Sequence, residues 1–189
     1  MRNEKLRWLL LSAIFAALTA VLSQLTIPLP LIPITGQTLA VGLTATILGS
    51  RYGAVAMFIY MLLGAIGLPV FSEAKGGLQV ILGPSGGYIY GFLITAYITG
   101  LILEKTRFTL INAMIANLVG MFVTLFFGVI HLKAVLDLSW PEAMAAGVTP
   151  FLLVGVIKAV LASVIGIKVR ERLIAGRLLP GGSADATTV

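Results

Sequence analysis

The chain has 189 residues, 59% of them hydrophobic and 11% charged, with a net charge of +6 and a mean hydropathy of +1.06. This excludes an ordinary soluble domain: the solvent is a bilayer, each crossing takes about 20 apolar residues, and no length remains for a soluble enzyme or an ATP-binding domain. No cysteine is present, which excludes disulfides and thiolate metal sites.

Six apolar segments follow one another at about 7–27, 36–50, 53–71, 86–103, 109–132 and 149–169. They predict an all-α polytopic membrane protein: a bundle of six transmembrane helices forming one membrane domain over 1–179, then a flexible Gly/Ser/Thr-rich tail over 180–189. The first segment has a basic start but a poor cleavage site, and is read as a retained helix. It carries Ala13 and Ala17 four residues apart. Small residues at that spacing let helices approach closely in lipid, and two readings fit: packing inside the bundle, or docking against another membrane protein.

Between the first two spans lies Pro28-Leu-Pro-Leu-Ile-Pro33-Ile-Thr-Gly-Gln37. Repeated proline blocks helix and predicts a polyproline-like or re-entrant loop. Irregular backbone at membrane depth survives where protein or a water-filled cavity satisfies it, so Thr35 and Gln37 become candidate polar groups at a cavity mouth. After the third span, Phe71 leads into Ser72-Glu-Ala-Lys75-Gly-Gly77, and then Gly83-Pro-Ser85-Gly86-Gly-Tyr88 opens the fourth. Paired glycines permit close backbone approach to a ligand, and Ser85–Gly87 directly precede a helix N-terminus, where the dipole favours anions. The 72–87 segment is read as a lid or site, with a plain outer loop as the alternative. In the fifth span Asn117 either bonds to a neighbouring helix or reaches a ligand. His131 is the sole histidine and has no ligand cluster around it, so no metal site is expected. No nucleophile–base constellation appears either, and neither enzymatic activity nor a cofactor is expected.

Lys158 is the most informative residue. It stands within an apolar run from Phe151 to Ile167, where an ammonium costs about 2.5–3.5 kcal/mol on insertion scales. No carboxylate lies at the same depth, so an anionic or strongly polar small molecule is the obvious partner. Charge asymmetry sets the orientation. Arg2, Lys5, Arg7, Arg51, Lys105, Arg107, Lys168, Arg170, Arg172 and Arg177 fall on the side of the termini, against Lys75 and Lys133 on the other. Both termini are therefore expected in the cytoplasm. The basic residues mark membrane edges, so nucleic acid is not an expected partner.

Read together, Pro33-Ile-Thr-Gly-Gln37-Thr-Leu, Gly67-Leu-Pro-Val-Phe71, Gly76-Gly77, Gly83-Pro-Ser-Gly-Gly-Tyr88, and Pro150-Phe151 with Lys158 resemble the BioY family over about residues 8–172. These proteins are the membrane-embedded, biotin-binding S components of energy-coupling-factor (ECF) transporters. The resemblance implies a multi-pass protein of a bacterial or archaeal cell membrane that captures biotin from outside. It implies as partners an ECF transmembrane coupling protein, docked on the Ala13/Ala17 stripe, and two ATP-binding subunits. The implied binding residues are Thr35, Gln37, Lys75, Gly77, Ser85, Gly86, Tyr88, Asn117, Gly155 and Lys158, with Phe71 and Phe151 as apolar walls. One departure stands out. Where the family reads Pro-Phe-Leu-Pro-Gly-Asp-x-x-Lys, this chain reads Pro150-Phe-Leu-Leu-Val-Gly155-Val-Ile-Lys158, and Lys75 stands where the family tends to have Asn. Gly155 takes away an acceptor for ring N–H groups and leaves space. Two alternatives stay open: an S component for another small carboxylated vitamin, and a non-transporting structural subunit.

Overall fold

The computed structural model describes residues 2–179; the tail over 180–189 lies outside the described residues. The elements in order are α1 (Arg2–Ser23), β1 (Thr26–Ile27), β2 (Ile34–Thr35), α2 (Gln37–Ala65), a 3-10 turn (Ser72–Ala74), α3 (Leu78–Leu82), α4 (Gly86–Lys105), α5 (Leu110–Leu136), α6 (Trp140–Gly147) and α7 (Thr149–Ala175). Helix satisfies every backbone donor and acceptor within one segment, which lipid demands. Many large apolar side chains, such as Ile14, Phe122, Phe126 and Leu153, face outward.

Five helical stretches are long and apolar enough to cross a membrane: Glu4–Ser23, Gln37–Ala65, Gly86–Lys105, Leu110–Leu136 and Trp140–Ala175. The second and third expected spans are thus a single stretch, α2, but a broken one. Gly49 sits at φ 80°, ψ −171°, a backbone region essentially reserved for glycine. In a straight helix Gln37 and Tyr60 would lie about 35 Å apart; instead Gln37 Nε2 donates to the Tyr60 hydroxyl at 2.5 Å. A Cβ added to Gly53 would lie 3.3 Å from Ala45 Cα. The two halves of α2 therefore double back on each other at Gly49. Charge secures the turn from both sides. The Glu104 carboxylate accepts from the Ser50 N–H at 2.7 Å and from the Ser50 hydroxyl at 2.6 Å, as an anion at a helix N-terminus should. Arg170 donates to the Ile47 carbonyl at 2.5 Å while its guanidinium lies 3.6 Å from the centre of the Phe108 ring.

The proline-bearing residues 28–33 are irregular and link the two strands of a short antiparallel hairpin, with Thr26 opposite Thr35 and Ile27 opposite Ile34. Its two-residue strands satisfy backbone groups that the prolines cannot. The connection expected over 133–148 contains α6, started by a capping box in which Ser139 and Glu142 bond reciprocally. Arg7 donates to the Arg177 carbonyl at 3.0 Å, so the two ends of the described chain meet at one end of the bundle. The hairpin and the 66–85 connection lie at the other.

Candidate ligand-binding cavity

At that second end the helices part around a cavity of about 940 Å3, including open solvent at its mouth. The hairpin supplies Ile32, Pro33 and Thr35; the first half of α2 supplies Gln37, Thr38 and Gly42; the 66–85 connection supplies Phe71, Ser72, Val80 and Ser85. Helix α4 contributes Tyr88, Ile89, Phe92 and Thr95, and α5 contributes Asn117, Met121, Thr124 and Leu125. Helix α7 closes the wall with Phe151, Val154, Gly155, Lys158, Ala159 and Ala162. The wall is mostly apolar with few polar groups, the usual character of a small-molecule site.

Lys158 points into this space. Its ammonium donates to the Thr35 carbonyl at 2.6 Å and to the Thr38 hydroxyl at 3.2 Å. Among the described residues no carboxylate pairs with it; the ion pair seen joins Lys75 to Glu73 at 2.5 Å, near the surface. An ammonium has three N–H donors, so one remains for a ligand, together with the whole positive charge.

Several other polar groups in the wall are already bound within the protein. Thr35 donates to Gln37 Oε1 at 2.8 Å, Gln37 donates to Tyr60, and the Tyr60 hydroxyl donates to the Val70 carbonyl at 3.0 Å. The Tyr88 hydroxyl donates to the Gly147 carbonyl at 2.7 Å, so Tyr88 offers its ring to the cavity and ties α4 to the α6–α7 joint. That ring lies 6.0 Å from the Phe151 ring. Thr95 bonds to the Thr124 hydroxyl at 2.7 Å.

Of the twelve residues expected to bind ligand, the structure brings nine to the cavity wall: Thr35, Gln37, Phe71, Ser85, Tyr88, Asn117, Phe151, Gly155 and Lys158. Three lie elsewhere, for identifiable reasons. Lys75 is turned outward to Glu73, with 60% of its side chain exposed. The Gly77 N–H is spent on the Gly64 carbonyl at 2.7 Å. Gly86 is packed so closely that a Cβ would lie 1.7 Å from the Ile81 carbonyl oxygen and 3.0 Å from His131 Nε2. The glycine pair before Tyr88 therefore serves the α4–α5 contact. His131 accordingly has a local role, bonding to the Gly83 carbonyl at 3.0 Å and to the Tyr90 hydroxyl.

Sequence reasoning missed Thr38, Ser72, Thr95, Met121 and Thr124. Helical spacing was the available signal, since Asn117, Met121 and Thr124 recur at the three- and four-residue intervals of one α5 face. Met121 explains how Gly155 is accommodated: a Cβ at 155 would lie 2.5 Å from Met121 Sδ. The thioether occupies the ground beside the position where a carboxylate was expected.

A helical membrane protein that encloses a mostly apolar cavity around one unpaired cation is a small-molecule binding protein. A model of the BioY family matches residues 1–175. The chain is 42% identical over 167 residues to the biotin transporter BioY2 of Lactococcus lactis subsp. cremoris, covering 88% of this chain and 92% of that one. It is 38% identical over 171 residues to the biotin transporter BioY of Thermotoga maritima, covering 88% and 97%. A 2.1 Å crystal structure of the S component for biotin from an ECF-type ABC transporter superposes with a TM-score of 0.82 at 30% identity, over 90% of this chain and 94% of that one. The chain belongs to the BioY family.

Proposed function

We propose that this protein is the biotin-binding membrane subunit of an ECF transporter, with no catalytic activity of its own. One observation carries the reading: Lys158 brings an uncompensated charge to a cavity at membrane depth, a costly arrangement unless a polar cargo arrives to use it. The names of the relatives supply the cargo. Biotin has an apolar body suited to Phe71, Phe92 and Phe151, a polar ring and a carboxylate. Gly155, with Met121 beside it, favours one second reading, a related carboxylated cargo. Equilibration of the purified protein with radiolabelled biotin tests both. Submicromolar retention that excess unlabelled biotin displaces, and other vitamins do not, is expected. Displacement by another vitamin at lower concentration would move the assignment to that cargo.

The doubled-back halves of α2 support counting six crossings in a single membrane domain. The meeting of Arg7 with Arg177 supports both ends on one face, and the excess of Arg and Lys there supports the cytoplasm. Partners are proposed to be the transmembrane coupling protein and two ATP-binding subunits. Ala13 and Ala17 are exposed along α1 while Ala16, on its inner face, is fully buried, which suits an outward docking stripe. Ala17→Trp is expected to leave biotin retention unchanged and to abolish co-purification with the coupling protein. Intact assembly in that variant would move the docking face elsewhere.

A further inference from the structure

Asn117 is 5% exposed and lies at the inner end of the cavity. Its amide nitrogen faces three acceptors, each at 3.0 Å: the Ala113 carbonyl, the Thr46 hydroxyl and the Ser163 hydroxyl. A carbonyl can only accept, so Ala113 fixes which side of the amide carries nitrogen. Ser163 donates its own hydrogen to the Ala159 carbonyl at 2.7 Å and therefore meets Asn117 as an acceptor. Two N–H groups are thus committed to three protein oxygens, and none is left for a cargo.

Oδ1 is in the opposite situation: none of the described residues donates to it. Among the described residues no fully buried side-chain oxygen or nitrogen lacks a partner, so this oxygen is not sealed off but opens to the cavity. Its clearance comes from Gly42, where a Cβ would lie 2.6 Å from Oδ1 and 2.8 Å from the Ala162 methyl. Gly42 and Ala162 each stand four residues beyond Thr38 and Lys158. Lys158 Nζ bonds at Thr38 and Asn117 Oδ1 lies beside Gly42, so the two groups face positions of α2 about one helical turn, or 5–6 Å, apart.

Building on the cargo reading above, we propose that Asn117 Oδ1 accepts a ring N–H of the bound molecule and discriminates in favour of cyclic ureas. A cyclic urea carries a carbonyl oxygen and N–H groups on one small ring, and so can offer an acceptor toward Lys158 and a donor toward Asn117. The amide takes over the accepting role that Gly155 cannot perform.

The test uses full-length protein in detergent, biotin, and its two cyclic carbamate analogues, each with one ring N–H replaced by oxygen. That exchange removes a donor without adding bulk. In the unaltered protein one carbamate is expected to bind about tenfold or more weakly than the other, the effect of leaving a buried acceptor facing a lone pair. In Asn117→Ala the two should bind alike. Gly42→Ala, which crowds Oδ1 and leaves Asn117 in place, should also erase the difference and serves if Asn117→Ala is not monodisperse. Carbamates that both match biotin to within about twofold in the unaltered protein overturn the proposal, as does discrimination that persists in the variants. Unaltered protein that retains no biotin overturns the cargo assignment and this proposal with it; retention without discrimination overturns this proposal alone.

Discussion

Lys158→Ala is expected to lose biotin retention by about 30-fold to a few thousand-fold, the range for truncating one partner of a desolvated, hydrogen-bonded charge contact. The loss has two sources. The cargo's polar group enters a cavity with no other cation in its wall among the described residues, and the Thr35 carbonyl, which now accepts from Lys158 at 2.6 Å, competes for whatever donors remain. Lys158→Arg separates charge from shape. It keeps the cation but replaces a compact ammonium with a planar fork, and so should bind more weakly than the parent and more tightly than the alanine variant. Equilibrium binding with labelled biotin on monodisperse protein gives both numbers. An alanine variant that binds like the parent would remove the lysine from the mechanism.

Gly49→Ala is expected to destabilise the protein by about 2–4 kcal/mol, summing backbone strain of about 1–3 with disturbance of a helix-capping contact worth about 1. A methyl there would lie 2.3 Å from Glu104 Oε1, the oxygen that caps Ser50. Glu104 can retreat only by giving up that cap. Gly67 supplies the control, since its φ is 101° but an added Cβ would meet nothing within 4 Å. Gly67→Ala therefore bears strain alone. Thermal unfolding in detergent should rank the parent above Gly67→Ala, and Gly67→Ala above Gly49→Ala. Equal midpoints for the two variants would show that the Glu104 contact contributes nothing to the turn.

Much of this architecture is legible in the sequence because lipid imposes few solutions. Apolar runs of fixed length mark the helices, and Lys158 marks the cavity because a lone charge in such a run needs a reason. The reversal at Gly49 shows where the signal weakens. Leu48-Gly-Ser-Arg51 has no proline and no long polar loop, so composition ends one helix and begins the next there without revealing that the turn between them is made at the single residue Gly49. Glycine gave the least reliable guidance to the site. Gly77 and Gly86 look like ligand-approach positions, but their space is taken by the Gln79 side chain and by the Ile81 carbonyl with His131; bare backbone serves protein neighbours and cargo equally well. Tyr88 and Gln37 reach the cavity, yet their hydrogen bonds go to Gly147 and Tyr60, partners 59 and 23 residues away, which no local pattern encodes.

The interlocked chain from Thr35 through Gln37 and Tyr60 to Val70, with Tyr88 anchored to Gly147, has a consequence for how occupancy is signalled. Walls fixed in this way lose little freedom when a guest arrives, so the entropic penalty of capture is small. They also leave the deep part of the receptacle unable to change shape in response. A signal that the seat is filled is therefore expected to pass through the cavity-lining residues of the 28–33 loop and the 66–85 connection that stand outside this interlocked chain, Ile32, Pro33, Ser72 and Val80.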